Sequence, residues 1–365
     1  MPEPTPAGGP LLRGEVVLSF AFDVANEIAT GRVRSLLSRV PSRHALRTDR
    51  TAPKSIPLYR PLEIEAGHAA TLGGRPVRTT VRVYDVGVVA VTLRVPFEAP
   101  EPTALRAFHT PVLDDGRTAE AVAADVCAAA RLDLAAVMTR PGPASEPEAY
   151  TAFCLSDLGG ERDATRWLAD HARAVAGLLA ATDPERLSDS QGDEVLRLRR
   201  SFEKTDAVVV NWDAALVVDL DGYYEDVLFV LELANVQLEE FRWLDRHLDG
   251  RLDEAHADLG RRLPFGTGAV LRSLRRLRID LVKLADEVTH ITKFVGDWHL
   301  ARVYQLARER FHLDQWRASV EQRLGQLDQL YTLLRGDVYD RRMLWLEVVV
   351  VVVIATDLLI LFLKR

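Results

Sequence analysis

Histidine is the first residue type to check for metal or acid–base chemistry, and the spacing of the nine histidines offers little of either. His247 and His256 lie nine positions apart, as do His290 and His299. No pair sits one helical turn apart, and no His-Glu helix motif occurs. Cys127 and Cys154 are the two cysteines, each inside an apolar run, which reads as buried free thiols in a reducing compartment rather than as zinc ligands. No serine stands in a Gly-x-Ser-x-Gly elbow. Gly266-Thr267-Gly268 follows Pro264-Phe265 instead of a strand and lacks the third glycine of a dinucleotide loop, so it reads as a helix cap. Leu72-Gly73-Gly74-Arg75 reads as a turn. Asp219-Leu220-Asp221-Gly222 opens like a calcium loop, but Val230 occupies the twelfth position where the bidentate glutamate would be. A turn explains it better, with Asp221 near an N-cap and Glu225 and Asp226 in the first helical turn. No catalytic residue, cofactor or metal ligand is assigned, and the chain is read as non-enzymatic.

Two other constellations carry possible function. Met343 to Leu363 is an apolar run of 21 residues, about 31 Å long as a helix, against a bilayer core of about 30 Å. Arg341, Arg342, Lys364 and Arg365 flank it, so a single transmembrane helix is expected, with the preceding chain on the cytoplasmic side of a bacterial inner membrane. Glu347 and Asp357 interrupt the run. They fall within about 80° of each other around a helix, which points to a helix–helix contact or a protonatable site within the membrane, the bland alternative being a tolerated pair of acids. The second constellation is a basic patch of Arg261, Arg262, Arg272, Arg275, Arg276 and Arg278. It is either a solvated helix face or a surface for acidic lipid or RNA.

The elements that must position these residues change character along the chain. Breaks rich in Pro, Ser, Asp or Gly fall at 41–57, 99–103, 139–148 and 181–193. Before residue 220, 15–22 reads as a strand and 23–37 as a helix capped by Asp23. A hairpin follows, with strands 77–84 and 88–95 around Asp85-Val86-Gly87. Helices are expected at 118–132 and 163–180, and strands at 150–155, 195–202, 207–210 and 214–218. Beyond it, apolar residues recur at alternating spacings of three and four. One stripe is Val227, Leu231, Ala234, Leu238 and Phe241. A second runs from Val270 to Val295, and a third comprises Leu313, Trp316, Val320, Leu324, Leu327, Tyr331 and Leu334. Such seams predict a bundle or coiled coil, the last helix running on into the apolar run.

The expected class is therefore α+β. A disordered segment covers 1–14, a mixed domain with antiparallel hairpins 15–219, a helical bundle or coiled coil 220–340 and a transmembrane helix 343–363. The formal net charge of −7 argues against wholesale nucleic-acid binding. Arginine far outnumbers lysine, and Ala, Leu and Val are abundant, which suggests a GC-rich bacterial genome. The first nine residues form no signal peptide.

Several segments resemble the "required for meiotic nuclear division" family of fungal, mitochondrial and bacterial proteins. These are Leu346-Glu347 opening the apolar run with Asp357 ten residues on, Arg278 to Asp286, Phe294 to Tyr304, Arg310 to Leu334, and the Tyr84 to Val89 hairpin. The resemblance implies an inner-membrane scaffold that supports translation near the membrane. The functional expectation is a membrane-anchored scaffold that self-associates through its long helices into a homo-oligomer and tethers a cytoplasmic protein partner. The alternatives are a tethered factor meeting ribosomes or RNA through the basic patch, and a hydrolase with its site in the α+β domain.

Overall fold

A computed structural model describes residues 11–44, 61–142, 146–260, 279 and 298–363. Most of the longer strands are rich in β-branched and aromatic residues. The strands are β1 (Leu12–Asp23), β2 (Ala25–Ile28), β3 (Ser42–Arg43), β4 (Leu62–Leu72), β5 (Arg75–Val83), β6 (Val88–Ala99), β7 (Met138–Pro141), β8 (Glu148–Leu158), β9 (Arg199–Arg200), β10 (Asp206–Val210) and β11 (Ala214–Asp219). Nine of them form one sheet in the order β3-β4-β5-β6-β1-β8-β11-β10-β9, and β2 pairs with β7 separately. Neighbours in the large sheet run antiparallel except β8 and β11, which are parallel. Central β1 sets the register, with Val16 opposite both Val95 of β6 and Phe153 of β8.

Period-two alternation gives the sheet two different faces. Val16, Leu18, Phe20 and Phe22 of β1 join Val91, Leu93 and Val95 of β6 in the main hydrophobic core. Helices α1 (Ala119–Leu134), α2 (Ala164–Asp170), α3 (Ala172–Leu179) and α4 (Asp189–Val195) add Val122, Cys127, Trp167, Leu168, Val175 and Val195 to that core. Thr118 and Asp163 cap α1 and α2 by accepting from the N–H groups of Ala121 and Arg166.

The opposite face carries Glu15, Arg78, Arg82, Thr92 and Arg94, and the first half of α5 (Glu225–Gly260) lies on it. Residues 228–239 of α5 are buried without a break. A helix buried on every side is a core helix, not one strand of a solvent-facing coiled coil. Helix α6 (Trp298–Arg310) packs nearby, where Arg310 Nε donates to the Val210 carbonyl at 3.2 Å and the Phe311 ring meets Tyr150 edge-on at 5.3 Å. Helices on both faces of a sheet make a three-layer mixed α/β architecture.

Two compact units divide the chain: Met1–Glu240 with Leu284–Asp314, and Phe241–Lys283 with Gln315–Arg365. In the second, Phe241, Leu244 and Leu248 of α5 are buried, as are Val320, Leu324 and Leu327 of α7 (Leu313–Leu363). The stripe read from Leu313 is thus an inward face as far as Leu327. Asp245, one turn before Asp249, accepts from Arg323 Nε at 3.0 Å, and Asp249 also pairs with Arg323.

Several sequence-based expectations are corrected. The class is mixed α/β around a large sheet, in place of an α+β region followed by a bundle with a membrane span. Among the described residues no helix is long and apolar enough to cross a membrane. The transmembrane helix, the tail anchor, the membrane as partner and the single-pass inner-membrane location therefore have no support. Two acids count against a span: Glu347 and Asp357 leave nine consecutive uncharged residues between them, 348–356, and an acid near the bilayer centre costs about 2.5–3.5 kcal/mol. Residues 23–37 form β2 and a short 3-10 turn instead of a helix, because Val24 and Ile28 donate backbone hydrogen bonds to Gly87 and Asp85. Tertiary pairing there overrides helical spacing. The 163–180 helix breaks at His171 into α2 and α3.

Candidate functional site

The densest chemistry lies between the polar sheet face and α5. Arg82 is 4% exposed and Glu232 of α5 also 4%. Arg82 Nη1 donates to Glu232 Oε2 at 2.8 Å, and Arg82 Nε donates to Glu63 Oε2 at 2.5 Å. Glu232 also accepts from the Tyr84 hydroxyl at 2.5 Å and from Thr92 Oγ1 at 3.3 Å. His44 Nδ1 lies 2.8 Å from Glu63 Oε2, and its ring stacks on Phe229 at 4.6 Å. The Arg82 guanidinium stands 5.7 Å from the Phe229 ring centre.

A second group adjoins the first through β5 and β6. Arg94 grips Glu225 with both terminal nitrogens, the Nη2 bond being 2.7 Å. Its Nη1 also donates to Glu15 Oε1 at 3.0 Å, and Arg78 Nη2 reaches Glu15 Oε2 at 3.3 Å. A fork-to-fork arginine–carboxylate pair fixes orientation as well as charge. Helical periodicity explains the helix side: Glu225 and Glu232 are two turns apart and so face the same way. The strand side follows from alternation, since Arg78, Arg82 and Arg94 all point away from the aliphatic core.

Mutual pairing sets the protonation states. Burial pushes the Glu63 carboxyl up, but the hydrogen bond with His44 and the Arg82 charge outweigh it and hold Glu63 at about 2. Burial would lower Arg82, yet Glu232 and Glu63 together keep it above its ordinary value. Glu225 is likewise held low, its burial outweighed by Arg94. These groups stay ionised across the physiological range and neutralise one another. Such an arrangement locks a helix onto a sheet; each charge is committed to an internal partner.

Two clefts open at the β4–β5 end of the sheet. One of about 520 Å³ is lined by Leu72, Val95, Phe97, Leu105 and Phe108 with Arg75. The other, about 540 Å³, is lined by Arg13, Glu15, Ser156 and Tyr224, and it shares Arg75, Pro96, Phe97 and Glu98 with the first.

The residues singled out from the sequence are not brought together with these. Glu347 is exposed on α7, and Asp357 lies ten residues further along the same helix. Arg261, Arg262, Arg272, Arg275, Arg276 and Arg278 lie outside the described residues, as do the Val270–Val295 stripe and Gly266-Thr267-Gly268. Cys127 and Cys154 are free and buried, and burial pushes the Cys127 thiol up to about 12. Among the described residues no group of three or more His, Cys, Asp or Glu could hold a metal ion. Sequence reasoning missed the charged cluster. Its available signal was the arginines on the polar positions of β5 and β6, set against acids seven apart on the first long helix.

Fold and site together define a mixed α/β sheet protein whose polar face is clamped to a buried helix by ion pairs. A family model described as "Uncharacterized protein MJ0711, N-terminal domain" matches residues 13–225, and the chain belongs to that family. The matched region runs from the second residue of β1 through β11, taking in the nine-stranded sheet, and ends as α5 begins. "Uncharacterized protein MJ0711" of Methanocaldococcus jannaschii is 20% identical over 214 residues, covering 58% of this chain and 65% of that protein's length. No solved structure matches the chain. These findings overturn the resemblance to the "required for meiotic nuclear division" family, to which nothing points. Its motifs were short: a tight hairpin turn at Gly87, whose φ is +102°, and acids in an apolar helix are features many folds need. The relative is archaeal, so the bacterial source inferred from composition is corrected too.

Proposed function

We propose that the protein is a self-associating interaction scaffold, in which the sheet domain is the rigid body and α7 the association element. The observation that carries this reading is the exposure of α7. Met343, Leu344, Trp345, Leu346, the six valines 348–353 and Ile354 are each 47–72% exposed, eleven large apolar side chains in all. They occupy every face of the helix, because consecutive residues step about 100° around it. A helix apolar all round belongs in an interior. Burying the exposed halves yields roughly 1 kcal/mol per side chain, or on the order of 10 kcal/mol per helix. Association costs about 4–15 kcal/mol, so one partner stripe gives a weak complex and several copies together a stable one. Glu347, between Leu346 and Val348, is exposed and keeps its carboxylate in solvent at the edge of such a bundle.

Sedimentation velocity of the full chain tests the reading. The parent should form an oligomer of defined size at micromolar concentration, and the Val350→Glu/Val353→Glu variant should sediment as a monomer. A monomeric parent, or an unchanged oligomer in the variant, refutes it.

A further inference from the structure

The paired clefts at the β4–β5 end of the sheet have the make-up of a small-molecule site. The first, about 520 Å³, has aliphatic and aromatic walls from the end of β6 and the 3-10 helix Pro102–Phe108. Its size falls within the usual range for ligand pockets, about 300–1,000 Å³. One rim is preformed. Asp114 accepts from the N–H groups of Gly73 at 2.8 Å and Gly74 at 2.9 Å, while its own N–H donates to the Thr71 carbonyl at 3.0 Å. These three bonds tie the β4–β5 turn to the loop carrying Pro111 and Val112, so the opening does not have to be organised on binding.

Charge decides what the site accepts. Arg13 pairs with Glu98 at 3.3 Å, and Arg78 and Arg94 are matched by Glu15 and Glu225. Arg75 differs. Among the described residues its hydrogen-bond partner is the neutral Pro96 carbonyl, at 3.0 Å, and no carboxylate reaches it. It lies on the wall common to both clefts, where the apolar chamber meets the polar one. A guanidinium in that position attracts an anion whose body is apolar. Glu98 on the same wall repels a second negative charge, which favours a monoanion over a phosphate dianion.

We infer that this cleft binds a small amphipathic monocarboxylate, its chain lying against Phe97, Leu105 and Phe108 and its carboxylate on Arg75. The cleft shares no residue with the apolar run of α7, so either reading can fail without the other.

Calorimetric titration of the full chain with octanoate, and with 1-octanol as the uncharged control, tests it. The parent should bind octanoate saturably at one site per chain. Arg75→Met should weaken octanoate at least tenfold and leave octanol unchanged. Ala107 is exposed on the cleft wall, so Ala107→Trp should fill the chamber and abolish both, with the thermal midpoint unaltered. Absence of saturable binding to the parent, equal octanoate affinity in Arg75→Met, or binding that survives Ala107→Trp would overturn the inference. The last result would place the ligand elsewhere, the apolar run of α7 included.

Discussion

Replacing Glu232 with leucine probes the clamp between α5 and the sheet. Glu232 accepts from Arg82, Tyr84 and Thr92 while only 4% exposed. Leucine keeps much of the volume but leaves the Arg82 guanidinium, also 4% exposed, with Glu63 as its remaining carboxylate. Removing one member of a buried ion pair costs about 3–5 kcal/mol, mostly because the other charge stays behind. Loss of the Tyr84 and Thr92 acceptor adds to this, so a loss of about 4–6 kcal/mol is expected. Glu232→Gln retains an acceptor for the Tyr84 hydroxyl and should lose about half as much. Urea unfolding followed by far-ultraviolet circular dichroism gives both numbers at pH 7. Asp170, whose exposed pair with Arg166 spans 3.8 Å, supplies the control: Asp170→Ala should leave the midpoint unmoved. If Glu232→Leu stayed within about 1 kcal/mol of the parent, the cluster would not be a clamp.

Two further predictions follow from the same face of the sheet and its neighbouring turn. Glu63 is held at about 2 against an ordinary 4.5, so its contribution is complete above pH 4.5 and disappears as pH falls toward 2. Parent stability should therefore drop by about 3 kcal/mol relative to Glu63→Gln between pH 5 and pH 2; parallel pH profiles for the two proteins would contradict the assignment. At Gly87, φ is +102° and an added Cβ would lie 1.6 Å from the Ala25 carbonyl oxygen. Gly87→Ala should accordingly cost about 3 kcal/mol or more, and a thermal midpoint equal to the parent's would show that the hairpin does not constrain β2.

Legibility in the sequence followed the range of the interactions involved. The hairpin β5–β6, strands β10 and β11, and α1 are local, and the Asp85-Val86-Gly87 turn, two short apolar runs and a helical stretch from Thr118 reveal them. Strand β4 was hidden because register shifts between Glu65 and Gly67 and between His68 and Ala70 break its alternation. The 228–239 stretch carries a seam that reads as a coiled coil, yet it is buried on every side, and Glu232, Asn235 and Gln237 within it read as solvent-facing. The cluster was invisible for a related reason. Arg82 and Glu232 are 150 residues apart, and a lone arginine on the polar side of a strand ordinarily faces water. At the other end of the chain, the apolar run suggested a membrane span, but among the described residues no helix is long and apolar enough to cross a membrane.

Self-association through α7 is the central claim, and energy transfer between labels placed on that helix tests it most directly. Cys127 and Cys154 are both buried, so a Val350→Cys chain carries one accessible thiol. Chains labelled there with donor and with acceptor should show strong transfer on mixing. The transfer should fall when unlabelled parent is added in excess and vanish when Val353→Glu is introduced. Donor emission that is unaffected by acceptor-labelled chains at micromolar concentration would contradict the account.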